Sequence, residues 1–554
     1  MKTRLHSLYL VLTLAWATHA DVDSGPVVTL KEGKIQGQYV KVKGLDRVVE
    51  QFLGIPYAQP PVGPLRLMPP KPLEAWEGVK DGTQLPNMCI QDKAIVENVA
   101  ETLGVEHPVT EVSEDCLYLN VFAPSKQTAA EKLPVMFWIH GGGLYMGASN
   151  EYDGSVLAAY ENIVVVVIQY RLGILGYLST GDKHAQGNWG FLDQLAALKW
   201  VQENIESFGG DPNSVTIAGE SAGAISASML TLSPLAKGLF HRAIFQSGAA
   251  TLGAYSTKQP MVFAKMVANV TECDPDDTEQ LIKCIREKTS EEILNATNKI
   301  SPQQKIFIGA TVDGEFLKDL AEDILKSKDF LKVPVLVGVT NHEFGWILPM
   351  EFAPKGWEKG MERPDILKMV QRFFPFKASG ENELIVDEYL KDAKTPEERR
   401  DAFTEILGDM FMVLPVLKVA RYHRDAGVPV YLYEFQHRPS IYKDSRPSFV
   451  KADHADEVGF VFGACFWNGY LKVKGNVTEE EKQLCKTVMR YWGNFIRTGS
   501  PNGEGVMEWP RFDQSNKYMM LNVQPSEGTD LKIERLKFFD EILPTKVEDQ
   551  KKSS

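Results

Sequence analysis

The apolar positions of this chain form short continuous runs, separated by longer segments with a helical period. Residues 163–168 read Ile-Val-Val-Val-Val-Ile, which predicts a central strand covered on both faces. In residues 188–208 the apolar positions recur at three- and four-residue steps, which predicts an amphipathic helix. The helix should end at Gly209-Gly210-Asp211-Pro212. Further strands are predicted at 134–139, 214–218, 243–246, 333–339 and 430–435.

This alternation of strands and helices indicates an α/β fold with a mostly parallel central sheet. Two long stretches, 254–330 and 350–425, are charged and mostly helical in pattern, with no Gly/Pro-rich boundary of their own. Ligands of open α/β sheets bind at the carboxyl edge of the strands. We therefore expect these stretches to be helical insertions over that edge, where they form the walls of a gorge.

The chain is predicted to carry one large domain after a cleaved leader. Its 554 residues would by length suggest three or four domains, but no repeat, low-complexity tract or Gly/Ser linker divides them. Residues 1–20 read as a signal peptide, with Lys2 and Arg4 ahead of a short apolar run and Thr18-His19-Ala20 at the cleavage site. The single domain then spans 21–554. No later apolar run is long enough to predict a transmembrane helix.

The formal net charge of −13, without a basic stripe, argues against a nucleic-acid partner. The pattern of the chain does not indicate its oligomeric state.

Entry into the secretory pathway makes the six cysteines candidates for disulfides. Neighbours along the chain suggest the pairs Cys89–Cys116 and Cys273–Cys284, and the spacing does not resemble a zinc site. Cys465 and Cys485 could pair or stay free. The same compartment makes three Asn-x-Thr triplets candidates for glycosylation, at Asn269, Asn295 and Asn476.

The first chemical signal is Gly219-Glu220-Ser221-Ala222-Gly223, which has the form of a nucleophile elbow. Such an elbow holds a reactive serine on a sharp turn between a strand and a helix. The strand pattern before this segment and the helical pattern after it supply that context. Ser221 is therefore the candidate nucleophile.

The second signal is His140-Gly141-Gly142-Gly143, directly after the predicted 134–139 strand. Acyl transfer passes through a tetrahedral oxyanion, and glycines let backbone N–H groups approach that oxygen closely. We assign the donors to Gly142 and Gly143, together with the N–H of Ala222. His140 itself is expected to pack or orient the loop.

A general base and an acid should follow the serine, in the chain order serine, acid, histidine. His454 lies in a polar stretch late in the chain, and His423 and His437 are alternatives. Glu343 follows the end of the predicted 333–339 strand, where such an acid belongs. Asp409 and Asp453 are its rivals, and the pattern alone leaves both choices open.

Taken together, these residues resemble the type-B carboxylesterase/cholinesterase family over nearly the whole mature chain. The ordered motifs are Phe52-Leu-Gly-Ile-Pro-Tyr57, Glu114-Asp-Cys-Leu-Tyr-Leu-Asn120, His140-Gly-Gly-Gly143, Gly187-Asn-Trp-Gly-Phe-Leu-Asp-Gln194, Phe208-Gly-Gly-Asp-Pro212, Gly219-Glu-Ser-Ala-Gly223 and Asp453-His-Ala-Asp-Glu457. Within the family, Tyr431-Leu-Tyr-Glu-Phe-Gln-His-Arg-Pro439 and Glu343-Phe-Gly-Trp346 look most like vertebrate carboxylesterases.

The resemblance implies an α/β-hydrolase fold and a serine carboxylesterase that needs no metal or cofactor and acts on small-molecule esters. Its acyl-enzyme would also admit amides, thioesters and acyl transfer to alcohols. The resemblance selects His454 and Glu343 over their rivals as partners of Ser221, and it implies the same oxyanion donors. It also implies the same two disulfides, Cys89–Cys116 and Cys273–Cys284.

Two features depart from the family pattern. The chain ends Asp549-Gln-Lys-Lys-Ser-Ser554 rather than in a His-x-Glu-Leu retention signal, so secretion is favoured over retention in the endoplasmic reticulum lumen. Cys465 and Cys485 are additions to the family pattern.

The sequence admits three other hypotheses. No tryptophan lies between Cys89 and Cys116, which weakens a cholinesterase hypothesis. A lipase or cholesterol-ester-type hydrolase is the main alternative, and a non-catalytic adhesion relative is a weaker one because every catalytic part is present.

Overall fold

The computed structural model describes residues 25–125, 132–300, 308–375 and 380–553. The predicted signal peptide, residues 1–20, lies outside the described residues.

The strands of the described residues are numbered in chain order. They are β1 (Val27–Thr29), β2 (Lys34–Gln36), β3 (Gln38–Lys41), β4 (Val48–Pro56), β5 (Val79–Asp81), β6 (Val105–Glu106), β7 (Tyr118–Pro124), β8 (Leu133–Ile139), β9 (Val164–Ile168), β10 (Gly210–Glu220), β11 (Arg242–Gln246), β12 (Ser256–Thr257), β13 (Ala310–Thr311), β14 (Val335–Thr340), β15 (Val430–Phe435), β16 (Lys472–Val473), β17 (Lys517–Leu521) and β18 (Ser526–Thr529).

The α-helices are numbered in the same way. They are α1 (Lys93–Thr102), α2 (Ser155–Glu161), α3 (Gly173–Tyr177), α4 (Trp189–Asn204), α5 (Ala222–Leu232), α6 (Met261–Thr271), α7 (Thr278–Glu287), α8 (Ser290–Ile300), α9 (Ala321–Ser327), α10 (Ile347–Phe352), α11 (Arg363–Phe373), α12 (Glu381–Leu390), α13 (Pro396–Gly408), α14 (Leu414–Asp425), α15 (Val458–Val461), α16 (Glu479–Thr498), α17 (Ile533–Lys537) and α18 (Leu543–Ser553). A π-helical turn, Asp409–Val413, joins α13 to α14.

A central sheet of eleven strands organises the described residues, in the order β18-β17-β15-β14-β11-β10-β8-β9-β7-β4-β3. The seven strands from β17 to β9 are parallel to one another, and antiparallel strands flank them on both sides. The predicted mostly parallel sheet is thus confirmed.

Both faces of the sheet are buried, as the β-branched strand sequences predict. Along β8, Val135, Phe137 and Ile139 belong to one hydrophobic cluster, whereas Met136 and Trp138 belong to a second cluster. Helices α4, α5 and α14 contribute to the first cluster, and α2 and α16 contribute to the second. Helices therefore cover both faces.

The sequence patterns located these elements with small errors in their bounds. The strand predicted at 214–218 starts earlier, because Gly210 pairs with Leu133 before the register shifts and resumes at Val215. The helix predicted at 188–208 is α4 followed by a 3₁₀ turn, Ile205–Phe208, and Gly209 ends it with φ 83°.

The two predicted insertions are mostly helical. Residues 254–330 contain α6 to α9, and residues 350–425 contain α11 to α14 together with the end of α10. Phe352, Phe373, Phe411 and Met412 of the second insertion line the cavity that contains Ser221, as expected of gorge walls, whereas Tyr255 is the lining residue from the described part of the first insertion.

Candidate active site

The carboxyl ends of adjacent parallel strands bring the candidate residues together. In β10, Gly219 pairs with Ile139 of β8, and Glu220 pairs with Gln246 of β11. The segments that follow these ends therefore meet at one edge of the sheet. This is the edge at which α/β sheets bind ligands.

Ser221 lies on a strained turn between β10 and α5. Its backbone has φ 55° and ψ −124°, which a residue with a side chain rarely adopts. A Cβ at Gly219 would lie 2.4 Å from the carbonyl carbon of Gly223, and a Cβ at Gly223 would lie 2.0 Å from the oxygen of Ile139. Both glycines are therefore required by close backbone approach, as a nucleophile elbow demands.

Glu343 and His454 form a direct buried pair. The imidazole Nδ1 of His454 lies 2.7 Å from Oε2 of Glu343. The other carboxylate oxygen, Oε1, accepts hydrogen bonds from the Ser247 hydroxyl at 2.6 Å and from the Thr340 N–H at 2.6 Å. With both oxygens engaged, the carboxylate is held in one orientation.

The second imidazole nitrogen faces another acid. Nε2 of His454 lies 3.0 Å from Oε1 of Glu220, although the pair falls outside hydrogen-bond geometry. Among the described residues, the Ser221 hydroxyl makes no hydrogen bond, so the structure brings Ser221, His454 and Glu343 to one place without a closed serine–histidine bond. Catalytic hydrogen bonds are often long before substrate binds.

Charges around His454 set its proton affinity. Burial lowers the pKa of His454, but the carboxyl groups of Glu220 and Glu343 outweigh burial and raise it above the ordinary value. Burial raises the pKa of Glu220 above its ordinary value, and the facing charge of His454 opposes that rise.

The glycine loop after β8 has the shape needed to present backbone donors. Gly142 and Gly143 have φ 96° and 62°. In the described residues their N–H groups make no backbone hydrogen bond, whereas the Gly142 carbonyl accepts from Tyr145 and Met146. Ala222 is the first residue of α5, so its N–H points out of the helix start.

His140 supports this loop. It stacks on Tyr170 at 4.4 Å between ring centroids, and the Tyr170 hydroxyl donates to its carbonyl oxygen. Burial lowers the pKa of His140 to about 4, so it stays neutral. This agrees with the expected packing role.

The rival bases and acids are engaged elsewhere. His423 is fully buried against Phe245 and Phe330, and His437 lies 3.0 Å from Glu481. Asp409 accepts from Tyr389, while Asp453 accepts from the N–H groups of residues 345–347. Neither rival histidine lines the cavity that contains Ser221.

Sequence reasoning missed Ser247 and Arg446, which hold the site in place. Ser247 directly follows β11 and has φ 51°. Its position, a serine directly after a buried strand at the carboxyl edge of the sheet, is the sequence feature that could have indicated its role. Both Oδ atoms of Asp456 lie 2.8 Å from Nη1 of Arg446, whose guanidinium covers the Tyr442 ring. Asp456 in turn accepts from the N–H of Asp453, so the segment that carries His454 is fixed.

Replacing Arg446 with alanine is expected to lower the free energy of unfolding by about 3–5 kcal/mol, because the buried Asp456 carboxylate loses its partner. Denaturant unfolding of wild type and variant would measure this change. The matched control is Arg363→Ala, which breaks a half-exposed pair with Asp387 and should cost less than about 1 kcal/mol. Equal effects of the two substitutions would contradict the assigned role of Arg446.

One large cavity of about 300 Å³ opens onto Ser221 and His454. Part of its lining belongs to the first hydrophobic cluster, namely Phe344, Leu348, Phe352, Phe373, Phe411 and Met412. Other lining residues, from 99–105, 145–152 and 458–485, belong to the second cluster or to a smaller one.

Three disulfides are present. Cys89–Cys116 and Cys273–Cys284 are the two pairs suggested from the sequence. Cys465 and Cys485, which the sequence left open, form the third, and both line the cavity. The predicted acceptors Asn269, Asn295 and Asn476 are exposed, and their glycosylation stays a prediction. Within the described ranges, no helix is both long and apolar enough to cross a membrane.

Comparison with known proteins agrees with this geometry. Residues 24–539 match the model of the Carboxylesterase family. Cocaine esterase of Homo sapiens is 46% identical over 553 residues, which cover 99% of this chain and 97% of the human protein. The medium-chain fatty acyl-CoA hydrolase precursor of Anas platyrhynchos is 46% identical over 559 residues, covering 100% and 98%.

Carboxylesterase 5A of Canis lupus familiaris is 46% identical over 542 residues, covering 97% of this chain and 92% of the dog protein. The family match covers most of the chain, and the relatives match it over nearly their full length. Both findings lead to the same conclusion as the parallel sheet and the residues gathered at its carboxyl edge. The chain belongs to the carboxylesterase family, and it is a carboxylic ester hydrolase with the α/β-hydrolase fold.

Proposed function

We propose that this hydrolase cleaves carboxylic esters through an acyl-enzyme on Ser221, with His454 as base and Glu343 as the acid that orients it. The observation that carries the proposal is the 2.7 Å contact between Glu343 and His454 beside a serine held on a strained elbow. Nucleophile, base and orienting group are the three parts that this chemistry requires.

In the first step, the Ser221 hydroxyl attacks the ester carbonyl while Nε2 of His454 takes its proton. Glu343 stabilises the imidazolium through Nδ1. The N–H groups of Gly142, Gly143 and Ala222 stabilise the oxyanion, each by about 3 kcal/mol in the transition state. His454 then protonates the leaving alcohol. Water repeats the sequence on the acyl-enzyme and releases the acid.

The apolar walls favour esters with apolar acyl and alcohol groups. Thioesters and amides are further acyl donors in the same mechanism, and an alcohol can take the place of water. The printed name of the duck relative, a fatty acyl-CoA hydrolase, supports the inclusion of thioesters.

The experiment that tests the proposal is hydrolysis of p-nitrophenyl esters from acetate to palmitate by the purified protein. We expect an optimum at short or medium acyl chains, because the cavity beside Ser221 has a volume of about 300 Å³. An optimum at palmitate would support the lipase alternative. A folded, glycosylated protein without activity on any ester would contradict the proposal and favour the adhesion hypothesis.

Replacing Glu220 with glutamine is expected to move the acid limb of kcat/KM to lower pH by about one unit or more. The carboxylate 3.0 Å from Nε2 favours the imidazolium, and the reaction needs the neutral base. Removing this charge lowers the pKa of His454, so the base becomes available at a lower pH. The measurement is a pH profile with p-nitrophenyl butyrate. Glu203→Gln, an exposed charge removal, should leave the profile in place.

The proposed setting is the secretory pathway, with a signal peptide at 1–20 and one catalytic domain over 21–554. The three disulfides support an oxidising compartment. Of the two destinations within it, secretion is favoured over the endoplasmic reticulum lumen. Expression of the full chain in cultured cells, with detection of protein and activity in the medium and in the lumen, tests the destination.

A further inference from the structure

One stretch of the cavity wall is a loop that a disulfide ties to the helix after it. This wall loop, residues 464–478, lies between α15 and α16. Cys465, near its start, forms the disulfide with Cys485 of α16. Both cysteines line the cavity that contains Ser221, together with four other residues of the loop: Ala464, Trp467, Val473 and Val477. The crosslink is therefore part of the wall beside the nucleophile.

The two halves of the wall loop differ in how they are held. In the first half, Phe466, Trp467 and Leu471 are buried in the second hydrophobic cluster. From residue 472 to residue 478 every side chain is half-buried or exposed. A segment with so few buried apolar contacts opens locally at low cost in free energy.

The second half of the wall loop pairs with another loop, outside the central sheet. There β16 pairs with β6 over two residues, and the N–H of Lys474 donates to the carbonyl oxygen of Gly104 at 2.7 Å. An exposed ion pair joins Lys474 to Glu101. The partner loop lies between the half-cystines of Cys89–Cys116, and three of its residues also line the cavity: Val99, Leu103 and Val105. Two crosslinked loops thus meet in a short two-stranded sheet and form one layer of the wall.

A disulfide restrains such a layer through chain entropy. The two cysteines are 20 residues apart in the sequence, and the bond keeps the ends of the loop together when its weaker contacts break. An opened loop therefore gains less conformational freedom with the crosslink than without it, so that opening is rarer. Cys485 is fully buried in α16 and supplies the fixed end of the restraint.

We propose that the Cys465–Cys485 disulfide limits the size of the esters that Ser221 accepts, because it holds the wall loop against the cavity. When the bond is opened, the wall loop and its partner loop move outward, and the cavity accepts a longer alkyl chain. Since both cysteines depart from the family pattern, this restriction is a feature of this chain. The inference rests on the proposed ester hydrolysis at Ser221, and it names a determinant of substrate size for that site.

The first test compares wild type with Cys465→Ala/Cys485→Ala on two pairs of esters. One pair varies the acyl chain, p-nitrophenyl butyrate against p-nitrophenyl laurate, and the other varies the alcohol, ethyl butyrate against octyl butyrate. We expect the long-to-short ratio of kcat/KM to rise at least about tenfold in one pair, the worth of about two further buried methylene groups. That pair identifies the substrate chain that lies against the wall loop. Unchanged ratios in both pairs would overturn the proposal.

The matched control is Cys273→Ala/Cys284→Ala, which removes a disulfide that does not line this cavity. It should lower the thermal stability, because a crosslink is lost, while both ratios stay within about twofold of wild type. An equal rise in the two double variants would assign the effect to general destabilisation and contradict a specific role of the wall loop.

Reduction of folded wild type tests the bond with every side chain in place, and it decides the question if the double variant does not fold. A phosphine gives two electrons to the S–S bond, which breaks, and water supplies the oxygen of the phosphine oxide and one proton for each sulfur. Alkylation and peptide mass spectrometry show which disulfides have opened. The long-to-short ratio should rise as Cys465–Cys485 opens and return after reoxidation. The same treatment should leave the ratio of Cys465→Ala/Cys485→Ala unchanged, and an equal rise there would place the effect in another disulfide.

Amide hydrogen exchange measures the opening of the loop directly. Residues 472–474 and 104–106 should exchange faster once Cys465–Cys485 is reduced, because β16 and β6 then separate more often. Exchange at the same rate in the oxidised and the reduced protein would show that the bond does not hold the wall loop, and it would overturn the proposal.

Binding without turnover distinguishes this inference from the proposed function. Calorimetry measures the affinities for 2-hexanone and 2-decanone in Ser221→Ala and in Ser221→Ala/Cys465→Ala/Cys485→Ala. The gain in affinity from the shorter to the longer ketone should be at least about tenfold larger without the crosslink, even if no ester is hydrolysed. An equal gain overturns the inference even if the esterase is active.

Discussion

Replacing Ser221 with alanine is expected to lower kcat for p-nitrophenyl butyrate by about 10⁶-fold, the scale of nucleophile loss in serine hydrolases. Without the hydroxyl no acyl-enzyme forms, and only the backbone donors and substrate positioning remain. Steady-state kinetics with wild-type and variant protein measure the effect. Ser221 lines the cavity, and the substitution removes one oxygen at a turn held by glycines, so the fold should persist.

The matched control is Ser226→Ala, which makes the same change on α5, the helix that follows Ser221. The Ser226 hydroxyl accepts a hydrogen bond from Gln194, and Ser226 does not line the cavity. It should retain wild-type kcat within about threefold. The double variant Ser221→Ala/His454→Ala should be about as slow as Ser221→Ala alone, since the two residues act as a unit. More than about one hundredth of the activity left in Ser221→Ala would assign the nucleophile elsewhere.

Replacing Glu343 with glutamine is expected to lower kcat by about 10⁴-fold. Oε1 of Glu343 accepts from two donors, Ser247 and Thr340, so the amide oxygen of glutamine must stay at that position. The amide NH₂ then faces Nδ1 of His454. That nitrogen must become an acceptor, which places the proton on Nε2, and the imidazole can no longer take a proton from Ser221.

Kinetics with p-nitrophenyl butyrate, together with thermal unfolding of the same preparations, measure this prediction. The controls are Asp409→Asn and Asp453→Asn, which change the two alternative candidates for the acid. Each should lower kcat far less than Glu343→Gln does. Ser247→Ala should cost about tenfold, because it removes one of two bonds that orient the carboxylate. If Glu343→Gln keeps a tenth of the activity, another group must orient His454.

Several parts of the site are readable from the chain because they depend on neighbours along it. The strand before Ser221, the helix after it and the two glycines beside it are local requirements of one turn. The glycine loop after β8 is local in the same sense. Such short-range constraints leave a pattern in consecutive residues, and the structure has these turns where the pattern predicts them.

Other parts depend on contacts across long distances in the chain. From the pattern alone, His454 could not be chosen over His437, nor Glu343 over Asp453. The fold separates them because β14 places Glu343 beside His454, while His437 is occupied by Glu481 and Asp453 by backbone N–H groups. Ser247, 96 residues from Glu343, and Arg446 were missed for the same reason.

The sequence by itself thus determined the parallel α/β sheet, the elbow, the glycine loop and two neighbouring cysteine pairs, because hydrophobic period and turn chemistry are local properties. Tertiary structure decided the pairing of Cys465 with Cys485, the contact of Glu343 with His454, and the support that Ser247 and Arg446 give to these residues. Those outcomes depend on which groups meet when the strand ends converge.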